Sequence, residues 1–273
     1  MPTSVTTPLS AHTPAVQTWN VYAQAPAAAL NGTVAIIIDQ LRASSTIATA
    51  LHDGAAAVYP CLEVADAQAL AAHLQHKHPN IPVLTGGERG GLPIEGFTFG
   101  NLPREYTPAL VRGAHIAFTS TNGTRAIWHA AHSSTHTLIG CLFNRTAVAA
   151  AAFALACSAK THIALLCAGT RGNCTLDDCL AAGAIAAALA ELGANLTGGI
   201  PPQPLPDGDD STPLCLELWR SAQQPSEIER ILRQSRGGRN LARIGMASEI
   251  PALCQVDTMG TVPALKNGVL CKL

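Results

Sequence analysis

The segment Thr85–Asn101 reads Thr-Gly-Gly-Glu-Arg-Gly-Gly-Leu-Pro-Ile-Glu-Gly-Phe-Thr-Phe-Gly-Asn, which sets two carboxylates, an arginine and an amide among six glycines. Glycine lets backbone N–H groups approach a ligand and turn through positive φ at little cost. A plain surface turn has no use for Glu88 and Arg89. Carboxylate oxygens suit a hard divalent cation, whereas guanidinium and amide groups suit an anion such as phosphate. Glu88, Arg89 and Glu95 are therefore candidates for a site that takes both.

Three further stretches carry the same mixture. Asp39-Gln-Leu-Arg42-Ala-Ser44-Ser45-Thr46 puts an acid and an arginine before three hydroxyls, at a helix start that favours anions. Thr119-Ser-Thr121-Asn122-Gly123-Thr124-Arg125 sets hydroxyls around an Asn-Gly pair. Cys167-Ala-Gly169-Thr170-Arg171-Gly-Asn-Cys174-Thr175-Leu-Asp177-Asp178 ends in two acids. Each stretch also has a structural reading, because Ser and Asp cap helices and Asn-Gly makes turns. Thr175 with Asp178 matches a capping box, which leaves Asp177 as the better ligand candidate.

The elements that must position these loops follow from periodicity. Val34–Ile38 is a continuous apolar run, the mark of a strand covered on both faces. Shorter strands are expected at 57–59, 82–84, 115–119, 137–140 and 162–166, alternating with helices near 44–52, 63–76, 124–131, 146–156 and 176–192. Alternation of this kind predicts an α/β fold with a mixed, largely parallel sheet and helices on both faces, followed by a helical C-terminal part. The four loops then stand at the carboxyl ends of strands, where open α/β sheets bind ligands. Residues 1–18, rich in Thr, Pro, Ser and Ala, read as a flexible tail. Residues 19–273 read as one domain, or as two closely packed subdomains. Residues 198–213, with five prolines and three aspartates, read as a surface loop or lid. Arg236-Gly-Gly-Arg-Asn240 reads as a second basic, glycine-rich turn, and helices are expected at 213–222, 227–234 and 247–254.

Composition narrows the function. A hydrophobic content of 48% supports a sizeable core, and 17 basic against 18 acidic residues, without a basic run, argue against nucleic acid. No apolar run suggests a membrane span and no leader pattern is evident, so a cytoplasmic protein with reduced cysteines is expected. A Cys-x5-Arg phosphatase loop would need arginine at position 173, which is Asn173. The nucleotide-binding G-x-x-x-x-G-K-[ST] loop, the G-x-S-x-G elbow and the H-E-x-x-H helix are all missing. A small anionic ligand fits best, and a homo-oligomer is compatible with the sequence.

Taken in order, the four loops resemble the 2-phosphosulfolactate phosphatase family over about residues 34–263. The resemblance rests on Asp39-x-Leu41-Arg42-Ala43 with the hydroxyls after it, Gly86–Gly91, Glu95–Phe97, Thr121–Thr124, Cys167–Thr170, Leu176–Asp178 and Gly238–Leu241. Two positions depart from the family pattern, Leu102 in place of a serine and Glu249 in place of an aspartate. The resemblance implies a three-layer α/β/α fold and a Mg²⁺-dependent hydrolase of coenzyme M biosynthesis. Its substrate would be the small phosphorylated acid 2-phospho-3-sulfolactate, its products 3-sulfolactate and phosphate.

On this reading Mg²⁺ is held by some of Asp39, Glu88, Glu95 and Asp177. Arg42 and Arg89 bind the anion with help from Ser44, Ser45, Thr46, Thr121, Asn122, Gly123, Thr124, Gly169 and Thr170. Asp39, Arg42, Glu88, Arg89, Asn122 and Asp177 form the expected catalytic set. Attack by water and covalent attack by Cys167 or a loop hydroxyl both stay open. The alternatives are a phosphatase of another small acidic phosphomonoester, or a non-catalytic anion-binding protein.

Overall fold

The computed structural model describes residues 12–196 and 210–273, and builds them around one ten-stranded sheet. In chain order the strands are β1 (Val16–Trp19), β2 (Val34–Ile38), β3 (Ala57–Cys61), β4 (Val83–Arg89), β5 (Leu92–Pro93), β6 (His115–Thr119), β7 (His136–Gly140), β8 (Ile163–Cys167), β9 (Pro263–Lys266) and β10 (Val269–Lys272). Their spatial order is β1-β8-β2-β7-β9-β10-β3-β6-β4-β5. The strands β1, β8, β2 and β7 pair in parallel, as do β3, β6 and β4. The C-terminal hairpin joins the two blocks through antiparallel pairs, β9 to β7 and β10 to β3. The fold is thus α/β with a mixed, largely parallel sheet, as the sequence predicts.

Because every pairing across the hairpin is antiparallel, the two blocks run in opposite senses along the sheet. Loops from the carboxyl ends of both nevertheless line one cavity. On one face β2, β7 and β8 pack with the helices Arg145–Ala159, Leu176–Leu196 and Pro225–Gln234 in the largest apolar cluster. On the other, Ala35, Ile37 and Ile139 join Ile116 and Phe118 around the helices Ala43–His52 and Gly123–Ala131.

Several expectations are corrected. Residues 16–18 are not tail: they begin β1, where Val16 and Thr18 are buried and the Thr18 amide donates to Thr212 Oγ1 (3.0 Å). A four-residue edge strand of alternating Val-Gln-Thr-Trp carries little signal. Residues 1–11 and 197–209, and with them most of the expected lid, lie outside the described residues. The hairpin β9–β10 turns through Asn267 and Gly268, both in the left-handed region (φ 51° and 78°). Part of the glycine-rich loop belongs to β4 itself, with Glu88 and Arg89 paired to Pro93 and Leu92 of β5. The stretch 142–159 reaches membrane-span length and a mean hydropathy of 1.4. Within the fold, Val148, Ala149, Ala152, Phe153 and Ala156 of this stretch sit in the core, as in a core helix of a globular domain.

Arg236–Asn240 forms a helix where a turn was expected. The helix runs Arg236–Arg243, and Ser235 caps it by accepting from the Gly238 amide (2.9 Å). Its glycines serve close packing. A Cβ on Gly237 would stand 2.7 Å from Asp177 Oδ2 and 2.9 Å from Leu41 Cβ, and one on Gly238 would strike the Leu232 carbonyl.

Candidate active site

A cavity of about 690 Å³ opens where the four loops meet. Asp39 follows β2, Glu88 to Gly91 end β4, Thr121 and Asn122 follow β6, and Gly169 to Arg171 follow β8. Asp177 and Asp178 enter from the first turn of the Leu176–Leu196 helix. The Arg236–Arg243 helix closes the far side with Arg236, Gly237, Arg239, Asn240 and Arg243.

Asp39 is fixed by the chain reversal that follows β2. Its Oδ1 accepts from the Ala43 amide (3.1 Å), and its own amide donates to Ser44 Oγ (2.9 Å). The other oxygen, Oδ2, faces Gly123, where a Cβ would approach within 2.7 Å. Gly123 therefore serves to let the helix after β6 come down beside Asp39. Next in line, Arg42 is buried and donates through Nη2 to the Gly91 carbonyl (2.6 Å), which ties the β2 loop to the β4 loop.

Glu88 uses both of its oxygens on backbone amides. Oε1 accepts from Thr121 (2.6 Å) and Oε2 from Gly91 (2.6 Å), so this carboxylate clamps the ends of β4 and β6 together. Asp178 does the same for β2 and β8, accepting from Gln40 N (2.9 Å) and Gly169 N (2.8 Å). Its structural role was expected, but not by this route, since the Thr175 hydroxyl makes no well-formed hydrogen bond. Asp177 differs from both: it is buried, it lines the cavity, and its Oδ1 makes no well-formed hydrogen bond, its carboxylate being held only by the looser contacts of Ser235, Thr175 and the Gly237 backbone.

The electrostatics follow from this crowding. Burial, reinforced by Glu88 and Asp177, pushes the Asp39 carboxyl up to about 7, against the opposing pull of the Ala43 amide and Arg42. Burial likewise raises Asp177, and burial with the charges of Asp177 and Asp39 lifts Asp178 well above the carboxylate range. A cluster of acids that resist ionisation together is a place where a cation is welcome. Among the described residues no three His, Cys, Asp or Glu side chains converge into a ready-made metal cage. A cation here would draw on one or two carboxylates, water and the ligand's own oxygens, which is the ordinary manner of Mg²⁺.

Not every expected residue reaches the cavity. Ser44 donates to the Ile37 carbonyl and Ser45 to the Gln40 carbonyl, so these hydroxyls hold the loop instead of facing the cavity, while the Thr46 hydroxyl is fully buried and makes no hydrogen bond. Thr124 donates to the Ser120 carbonyl behind the loop. Glu95 is exposed and lies away from the cavity lining. Arg89 lines the rim, but its guanidinium donates to the carbonyls of Glu88 and Leu62 and to Thr119 Oγ1, each at 2.9 Å. Cys167 is fully buried, and its contact with Cys179 together with burial pushes its thiol well above the usual range, a poor state for a nucleophile. The two departures also fall outside the cavity lining: Leu102 is core, and Glu249 pairs with Arg104 (2.7 Å).

Other lining residues are absent from the sequence-based site. Asn101 closes the glycine-rich segment and lines the cavity, and its buried Oδ1 makes no hydrogen bond. Arg171, Arg236, Arg239 and Arg243 supply most of the positive charge, with Asn240 among them. The Arg-Gly-Gly-Arg-Asn run is a legible signal for Arg236, Arg239 and Asn240, although it reads as a turn.

The fold and the cavity define the class: an α/β protein whose strand ends gather buried acids and arginines around one highly charged cavity. The family model for 2-phosphosulpholactate phosphatase matches residues 20–268, and the chain belongs to this family. Curated relatives named probable 2-phosphosulfolactate phosphatase share its length. One from Deinococcus radiodurans is 37% identical over 235 residues, covering 86% of this chain and 88% of its own. Another, from Symbiobacterium thermophilum, is 36% identical over 243 residues, 89% of this chain and 95% of its own. A third, from Thermus thermophilus, is 34% identical over 238 residues, covering 86% and 89%.

Proposed function

We propose that the protein is a Mg²⁺-dependent phosphatase that hydrolyses 2-phospho-3-sulfolactate to 3-sulfolactate and phosphate. The observation that carries the metal part is Asp177, a buried acid of the cavity wall whose Oδ1 makes no well-formed hydrogen bond and whose charge is supported by the nearby Ser235, Thr175 and Gly237 backbone. Leaving a buried acceptor unpaired costs about 1–3 kcal/mol, and a bound cation removes that cost. The substrate part is carried by family membership, joined to a cavity in which arginines outnumber carboxylates.

The roles divide by which atoms are free. Asp177 would hold the ion, with Asp39 beside it. Mg²⁺ supplies charge neutralisation at the phosphoryl oxygens and activation of water. Arg42 donates to the phosphate from its fixed place on the β2 loop and stabilises the charge that develops in the transition state. Asp39, poised near neutrality, takes a proton from the attacking water at Oδ2. Glu88 and Asp178 position these groups through the backbone amides they clamp. The reading extends to coenzyme M biosynthesis in a cytoplasmic setting.

The direct test is phosphate release from 2-phosphosulfolactate by protein treated with EDTA, before and after Mg²⁺ is restored. Release that requires Mg²⁺ is expected. Full release in EDTA overturns the metal, and no release with Mg²⁺ present overturns the substrate.

A further inference from the structure

Five arginines of the cavity form no ion pair among the described residues. Among the described residues, Arg104, Arg125, Arg145, Arg220, Arg230 and Arg233 pair with carboxylates on the outer surface, and Arg89 pairs with Glu63 at the cavity rim. Arg42, Arg171, Arg236, Arg239 and Arg243 line the cavity, and none makes such a pair. Six arginines and four carboxylates line it in all, a surplus of two positive charges when every group is ionised. Like charges held together without counter-charges raise the free energy of the empty site and favour anions that enter it. A phosphate dianion alone matches that surplus. With a divalent cation beside Asp177, the cavity accommodates two more negative charges.

The Arg236–Arg243 helix is built to present such charges. Ser235 caps it, Gly237 is pressed against Leu41 and Asp177, and Leu241 is anchored in the core. Arg236 donates to the Thr170 carbonyl (2.9 Å), which ties the helix to the β8 loop. Arg239 and Arg243 are exposed, and their hydrogen bonds stay local, Arg239 donating to the Gln234 carbonyl and Arg243 to Asn240 Oδ1 (2.8 Å). A guanidinium carries five N–H donors, so each keeps an edge free for a planar or tripodal oxyanion.

We propose that Arg239 and Arg243 are specificity-determining residues that read a second strong oxyanion, a carboxylate or sulfonate, on the molecule whose phosphate lies against Arg42. This rests on the phosphatase reading above and adds to it which wall selects the substrate. The helix then acts as a charge filter: a simple alkyl phosphate satisfies the Arg42 side only, whereas a phosphorylated acid satisfies both.

The test compares kcat/KM for 2-phosphosulfolactate, phospholactate and ethyl phosphate in wild type, Arg239→Gln, Arg243→Gln and the double variant, with thermal unfolding as the folding control. The ratio of 2-phosphosulfolactate to ethyl phosphate is expected to fall at least tenfold in the double variant, mainly through KM. A loss confined to 2-phosphosulfolactate identifies sulfonate as the group read, and a loss shared with phospholactate identifies carboxylate. Equal losses on all three substrates, or no loss on any, overturn the proposal. If wild type releases phosphate from none of them, the phosphatase reading fails by itself, and calorimetric binding of 3-sulfolactate decides the proposal. Binding that weakens tenfold or more in the double variant supports it; absent or unchanged binding overturns it. Arg243→Lys, which keeps the charge and loses the fork, is expected to give a smaller shift of the same ratio.

Discussion

Asp39→Asn is expected to stabilise the metal-free protein at alkaline pH while destroying its activity. Burial is the main cause of the rise of Asp39 from 3.8 to about 7, and Glu88 and Asp177 push in the same direction. An acid with a raised folded pKa binds more protons in the native state than in the unfolded chain between the two values. Its stabilising contribution is therefore complete below the unfolded pKa and is lost as pH rises through the folded one. At about 1.4 kcal/mol per pH unit, the loss between pH 5 and pH 8 is roughly 2–3 kcal/mol. The amide of asparagine matches the carboxylate in size and keeps an acceptor for the Ala43 N–H, so the substitution removes the charge and little else. Urea and thermal unfolding in EDTA at both pH values are the assay. Relative to its effect at pH 5, the variant should gain roughly 2–3 kcal/mol at pH 8, or about 5–10 °C in Tm. An identical pH dependence in the two proteins would refute the claim that Asp39 is held charged only at a cost.

Three further outcomes follow from named contacts. Glu88→Gln replaces one oxygen that accepts a backbone N–H with an NH₂ group that cannot, and should cost about 1–3 kcal/mol in urea unfolding. Arg42→Gln removes the buried guanidinium beside the acids; phosphate-release kinetics should show a loss of about 2–4 kcal/mol of transition-state stabilisation, and unchanged kcat/KM would remove Arg42 from the site. Gly237→Ala puts a Cβ 2.7 Å from Asp177 Oδ2, so activity should fall by more than the change in Tm accounts for, because the helix must back away from the metal side.

Legibility from sequence varied with how local the cause was. The parallel strands showed in runs such as Val34–Ile38, buried on both faces, and the strand-end rule then brought four distant loops to one place. Asn267-Gly268, the strongest short hairpin signal, stands at the turn of the C-terminal hairpin, yet only a helical C-terminal part is expected there, and the hairpin's role of joining two opposed parallel blocks depends on pairing partners that no local pattern reveals. In the site, acid and arginine types marked the right loops, but residue type could not show which atoms remain free. Glu88 and Asp177 look alike in sequence, and only the fold shows that amides occupy Glu88 while Asp177 Oδ1 makes no well-formed hydrogen bond. The hydroxyls of Ser44 and Ser45 illustrate the opposite case, polar groups turned inward by the same loop that presents Asp39. Gly237 and Gly238 misled because close packing and turning both call for glycine.

The proposed function turns on whether Asp177 binds the divalent cation. Calorimetric titration of Mg²⁺ into EDTA-stripped, dialysed wild type and Asp177→Asn, each saturated with inorganic phosphate, measures it without reference to turnover. One Mg²⁺ per chain in wild type, weakened at least tenfold in the variant while its fold and Tm are retained, is the predicted result. Equal Mg²⁺ affinity in the two proteins, or no Mg²⁺ binding by wild type, would contradict it.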